Sequence, residues 1–235
     1  MKPNKSRMQE LFRQKGFWDN SDYDGSGGSP RLQHIAADTL IDLQAKPGNK
    51  ILVLGCGPGF ELEEICCRVR GGEVIAIEPS DMIKTAQVKA RKLTDIFPTT
   101  NIELIRGFGE YLPLNGKFDC AISINTFRYL VDPVKTYEQI FDVLKPDGRL
   151  ALADTKGKLK NLQHFINHKI PYDMKVIKAL ESKGIYVDYL SLPQQHYYFI
   201  TFSRNPAMHK QNLEELEWRN NIQKAGMYVR GEIKT

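Results

Sequence analysis

The sequence predicts a doubly wound α/β fold: a mostly parallel sheet with helices on both faces. Three observations carry that reading. Strand-like apolar runs alternate with helix-like runs from residue 50 to residue 154. The first run, "KILVLG", is apolar almost throughout, as in a strand buried on both faces. A glycine-rich turn then leads straight into a helix, a connection that forms ligand cradles at the carboxyl edge of open α/β sheets.

The elements follow in order. Residues 1–30 are polar, and "NSDYDGSGGSP" is rich in turn formers, so this stretch reads as a flexible arm or lid. Leu32, Ile35, Ala36, Leu40 and Leu43 then share one helical face, and "KPGNK" ends that helix. After "KILVLG" comes a helix in "FELEEICCRVRGG", with Leu62, Ile65, Cys66 and Val69 inward. "EVIAIE" is the second strand. "SDMIKTAQVKARKLTDIF" is a helix that Ser80 can cap. "NIELIRG" and "FDCAISI" are the third and fourth strands. Asp132 and Pro133 start the next helix, and Pro146 and Gly148 stop it before the strand "RLALAD". Beyond Asp154 the rhythm changes. A helical stretch broken at Pro171 precedes two strand-like runs, "IYVDYLSL" and "HYYFITFS", which the short link "PQQ" makes an antiparallel hairpin at the sheet edge. A helical tail closes the chain. The organisation is an arm over 1–30, one domain over 31–205 and a tail over 206–235.

Length and composition agree with one globular unit. The chain has 235 residues, 41% of them hydrophobic, enough for a sizeable core. Its net charge of +5 is too small to argue for nucleic acid by itself. Four cysteines, Cys56, Cys66, Cys67 and Cys120, lie in apolar segments without metal-ligand spacing, so they read as buried reduced thiols of a cytoplasmic protein. No apolar run approaches the ~18 residues of a membrane span, and the N-terminus lacks the apolar core of a secretory signal.

The turn "GCGPG" places glycines at 55, 57 and 59. Glycine inside an element costs about 1 kcal/mol relative to alanine, so the turn must come close to something. The dinucleotide pattern G-x-G-x-x-G needs a third glycine at position 60, which is Phe60; the tighter G-x-G-x-G fits S-adenosylmethionine better. Glu78 ends the second strand 21 residues after Gly57, where a carboxylate accepts both ribose hydroxyls of an adenosine.

With these residues on the page, the stretch from about Ile35 to Asp154 resembles the class I S-adenosylmethionine-dependent methyltransferases, in particular the small-molecule enzymes of ubiquinone and biotin pathways. The resemblance rests on "ILVLGCGPG", "VIAIEPSDMI", "GFGEYLPLNGKFDCAISINTFRYLVDP" and "VLKPDGRLALAD" in that order. It implies a Rossmann-like, seven-stranded sheet of order 3-2-1-4-5-7-6 with strand 7 antiparallel. It also implies S-adenosylmethionine as cofactor, held by Gly55, Cys56, Gly57, Gly59, Glu78, Pro79, Phe108, Gly109 and Asn125.

Two positions depart from the family pattern. The family has an acid two residues before the first glycine, where this chain has Val53, and an aspartate that receives the adenine amino group, where this chain has Phe108. Each lost polar contact costs on the order of 1–3 kcal/mol. Phe108 can still flank the adenine ring, and the Gly109 N–H can still meet a ring nitrogen.

The sulfonium already activates its methyl group, so the enzyme needs positioning more than a catalytic side chain. Three residues are candidates for contact with the reacting groups. Tyr23, in "SDYDG", resembles the arm tyrosine of these enzymes and can present its ring to the sulfonium. Arg128 and Tyr129 follow the fourth strand and face the acceptor space. His164 and His168 stand four apart, but no HExxH pattern accompanies them, so no metal is expected. Lysines between Lys156 and Lys178 read either as a solvated face or as a basic rim that recruits an acidic substrate, a carrier protein or RNA. The leading reading is methyl transfer to a small-molecule acceptor or a carrier-tethered acyl group. One alternative is a catalytically silent assembly subunit, motivated by Val53 and Phe108. Another is RNA methylation, motivated by the lysines alone. A nicotinamide oxidoreductase is disfavoured by the glycine spacing.

Overall fold

The computed structural model describes residues 45–130, 132–155, 174–191 and 197–205. The arm with Tyr23, the first helical segment, all five histidines, the lysines from Lys156 to Lys169, and the tail lie outside the described residues.

Seven strands form one sheet: β1 Lys50–Leu54, β2 Glu73–Ile77, β3 Asn101–Ile105, β4 Phe118–Ile124, β5 Leu144–Thr155, β6 Tyr186–Ser191 and β7 Tyr197–Ser203. Their order is β3-β2-β1-β4-β5-β7-β6. The β1, β2, β3, β4 and β5 ladders are parallel, while β7 runs antiparallel to both β5 and β6. This is the expected topology, with β6 and β7 paired antiparallel at the sheet edge; the "PQQ" link lies outside the described residues. Four α-helices are described: α1 Leu62–Arg68, α2 Ile83–Ile96, α3 Pro133–Val143 and α4 Met174–Glu181.

The strand β1 shows why the sheet is buried on both faces. Ile51 and Val53 join the cluster under α1 and α2, with Ile65, Cys66, Ala86 and Leu93. Leu52 and Leu54 join the opposite cluster with Tyr137, Ile140 and Phe141 of α3 and with Phe202. Alternate residues of one strand thus feed two cores, so no position in the run tolerates a polar side chain cheaply.

Three local readings are corrected. The helix α2 begins at Met82 as N-cap rather than at Ser80; the Ser80 hydroxyl instead accepts from the Met82 N–H at 3.3 Å, bracing the turn one step earlier. The strand β5 begins at Leu144, opposite Phe118, before the Pro146–Gly148 stop, and the register then shifts so that Cys120 faces Arg149. The extra residues of "KPDG" are accommodated by this shift of register. Cys67 is only half-buried, with Arg70 donating toward its sulfur at 3.7 Å, whereas Cys56, Cys66 and Cys120 are buried. By contrast Asp132 caps α3 as read: its carboxylate accepts from the Lys135 N–H at 3.0 Å, with Pro133 in the first turn.

Candidate active site

The carboxyl ends of β1, β2 and β4 meet at one edge, and the turn Gly55–Gly59 crosses it. All three glycines hold positive φ, at 71°, 51° and 84°. Their reasons differ. A Cβ on Gly55 would collide with the Thr126 side chain, whose hydroxyl donates to the Gly55 carbonyl at 3.1 Å. A Cβ on Gly59 would strike Leu62 and crowd Ala86, where α1 packs on α2. A Cβ on Gly57 would meet only the Met82 methyl, at 3.7 Å. The sequence reading had the turn clear space for a ligand; in fact two glycines admit protein neighbours and one fronts open space.

Glu78 fixes that open side. It is only 5% exposed, and its two carboxylate oxygens accept from the Gly57 N–H and the Ser80 N–H, each at 2.9 Å. An ionised carboxylate offers about four acceptor sites, so each oxygen keeps capacity for a hydroxyl. The carboxylate therefore braces the turn and still faces what lies on it.

The cleft beside the turn encloses about 790 Å³ of atom-free space, part of it open to solvent. Its lining includes the expected Gly55, Cys56, Gly57, Glu78, Pro79, Phe108, Gly109, Asn125 and Tyr129. Of the expected cofactor set, Gly59 stands behind the turn rather than in the wall. Phe108 is half-buried and borders the cleft without filling it; its carbonyl accepts from the Tyr111 N–H at 3.0 Å. Asn125, just past β4, holds φ of 56°, a left-handed conformation that asparagine tolerates better than most residues, and its N–H donates to Ala153 at 2.8 Å. Arg128 belongs to the 3-10 turn Phe127–Tyr129, and its side chain is outside what is described. Val53 is fully buried in β1 between Ala76 and Ile122 and does not reach the cleft. No metal-holding cluster occurs among the described residues.

The structure adds wall residues that the sequence reading missed. Glu61 and Glu110 are acids in the lining, 6% and 1% exposed. Glu110 accepts from the Asp132 N–H at 3.4 Å. Glu61 precedes α1 and makes no capping bond to it. Burial pushes its carboxyl from 4.5 up to about 7, against the pull of its own N–H and of Lys89, and Glu78 adds to the rise. Burial likewise drives the Cys56 thiol well above its ordinary value, with Glu61 and Glu78 contributing, so this cysteine stays a neutral wall. A signal for Glu61 existed: it lies four residues before the inward Ile65, on the buried face of the same helical periodicity. Its charge hid it.

Residues 45–223 match the sequence model of a family described as a methyltransferase domain. The chain belongs to this methyltransferase family. Among curated relatives, it is 31% identical over 141 residues to the mitochondrial ubiquinone biosynthesis O-methyltransferase of Schizosaccharomyces pombe, covering 56% of this chain and 49% of that one. It is 32% identical over 127 residues to the malonyl-[acyl-carrier protein] O-methyltransferase of Acetivibrio thermocellus, covering 52% of this chain and 42% of that one. The chain thus spans about half the length of these relatives. A S-adenosylmethionine-dependent methyltransferase from Aquifex aeolicus shares the fold, with a TM-score of 0.60 at 23% identity over 86% of this chain and 98% of that one. The cofactor of this methyltransferase fold is S-adenosylmethionine, and the donor set here suits it. A carboxylate with spare acceptor capacity faces Gly57, where no side chain intervenes, and an aromatic ring borders the same space. No helix among the described residues is long and apolar enough to cross a membrane.

Proposed function

We propose that this chain transfers a methyl group from S-adenosylmethionine to a small molecule or a carrier-tethered acyl group. The observation that carries the reading is Glu78, buried at the end of β2 and aimed at the side-chain-free face of the turn. The relatives named for ubiquinone biosynthesis and for malonyl-[acyl-carrier protein] support the substrate class.

When bound, S-adenosylmethionine supplies a methyl carbon made electrophilic by its sulfonium. The chain's own residues hold and orient. Glu78 accepts the two ribose hydroxyls. Phe108 flanks the base, and the Gly109 N–H meets a ring nitrogen. Leu54, Ile77, Ile124 and Leu130 wall the cleft with apolar surface and exclude water. Asn125 and Tyr129 line the β4 side, where an acceptor enters; Arg128 and Tyr23 are the further candidates for contact with the reacting groups. Holding two reactants in line supplies roughly 7–11 kcal/mol of the barrier, so no general base is needed unless the acceptor is a hydroxyl or a weak carbon acid.

A second reading is favoured by Val53 and Phe108: a subunit that keeps the cleft but not turnover. Calorimetry with S-adenosylhomocysteine tests both. Binding that Glu78→Gln weakens and Lys92→Ala leaves alone supports cofactor use. Methyl release in the presence of quinone-like phenols or acyl carriers then distinguishes enzyme from silent subunit. Absence of binding to the wild-type chain removes the enzymatic reading.

A further inference from the structure

We propose that Glu61 binds the ammonium group of the methionine end of S-adenosylmethionine, replacing the β1 acid whose place Val53 takes. This rests on the reading that the cleft holds that cofactor.

The geometry begins with the position of Glu61. It lines the cleft two residues past Gly59, on the same turn that Gly57 opens. Glu78 and Phe108 account for the ribose and the base. What remains of the ligand is a zwitterionic amino-acid end, and Glu61 is an acid in the wall suited to its ammonium. Val53 supplies nothing there, because it is packed between Ala76 and Ile122 in the sheet.

Glu61 also has little structural work. It does not cap α1. Among the described residues, the groups that act on it are few. From its own segment comes its own N–H; from the turn, the Cys56 thiol, which is neutral; from the end of β2, the Glu78 carboxylate; from α2, the Lys89 ammonium. Lys89 is already engaged, donating to the Phe60 carbonyl at 3.2 Å and standing 4.0 Å from Glu63. Among the described residues, one cation, itself shared, acts on a carboxylate that is 6% exposed and lines the cleft. A ligand cation would satisfy it. Because its carboxyl sits at about 7 without ligand, binding a cation there releases a proton when the pH is below that value.

The test uses calorimetry on the whole chain with two ligands. S-adenosylhomocysteine carries the ammonium; methylthioadenosine has the same adenosine end and no amino-acid group. Glu61→Gln should weaken S-adenosylhomocysteine by about tenfold or more, the loss of one charge-assisted hydrogen bond, and leave methylthioadenosine unchanged. Wild-type affinity for S-adenosylhomocysteine should rise between about pH 6 and about pH 8, with proton release visible as buffer-dependent heat at the lower value. The variant should show neither effect. Retained wild-type affinity and pH dependence in Glu61→Gln overturns the proposal. Equal loss of both ligands also overturns it, since that marks a purely structural role. If Glu61→Gln does not fold, Glu61→Asp and the buffer-dependent heat of the wild type decide, and heat without proton release counts against it. Should neither ligand bind the wild type, the cofactor reading itself falls, a result distinct from failure of the Glu61 assignment alone.

Discussion

Two carboxylates border the same turn and are built differently. Glu78, at the end of β2, gives one oxygen to the Gly57 N–H and the other to the Ser80 N–H. Among the described residues, Glu61, at the entry to α1, has its own N–H and a shared lysine. The fold uses the first as a brace and stores the second as an unpaid cost. The contrast teaches that burial alone does not say what an acid does; its partners do. A buried acid answered by backbone donors stabilises the protein, whereas a buried acid without them destabilises it until something binds.

The contrast predicts mutations of opposite sign. Glu78→Ala removes two hydrogen bonds to a charged group, each about 1.5–3 kcal/mol, so unfolding of the ligand-free protein should become easier by roughly 3–6 kcal/mol. Denaturant titration reads this, and a loss under about 1 kcal/mol would break the comparison. Glu61→Gln should go the other way. The folded carboxyl holds its proton up to about 7 while the unfolded one releases it near 4.5. Wild-type stability therefore falls as pH rises through that window and is flat above it. The rise caps the cost at about 3 kcal/mol, which Glu61→Gln should recover in part at about pH 8 and hardly at all near pH 4. Melting temperatures across that range check it, and a variant that is less stable at the alkaline end contradicts it. The smallest change is expected at the base end. Phe108→Asp, by returning an acceptor for the adenine amino group, should tighten S-adenosylhomocysteine by about 0.5–1.5 kcal/mol, as titration calorimetry would show.

The same contrast marks how far the sequence could be read. The parallel core was legible because "KILVLG", "EVIAIE" and "FDCAISI" are apolar through most of their interiors, as strands buried on both faces are. The strand order and the antiparallel β7 came from the resemblance and from the hairpin link, and both stand. Asp132 and Pro133 announced α3 through capping chemistry that is local by nature. What depended on long-range packing was harder. Nothing in "GCGPG" says that Gly55 makes way for Thr126, which lies 71 residues on. Nor does "KPDG" reveal that β5 has already begun at Leu144, since pairing with Phe118 overrides the turn residues. Glu78 was found because its spacing from the glycines is fixed by the βαβ unit. Glu61 was passed over because periodicity arguments assign charged residues to solvent, and a functional site is where that assignment fails.

The central claim is that the turn and Glu78 together hold an adenosyl group. Calorimetric titration of the wild-type chain and of Glu78→Gln with S-adenosylhomocysteine tests it most directly, with melting curves to show that both are folded. The account predicts saturable one-to-one binding by the wild type and a loss of about tenfold or more in the variant, since the amide keeps one acceptor oxygen and puts a donor in place of the other. Equal affinity in the two folded proteins, or no binding by either, would contradict it.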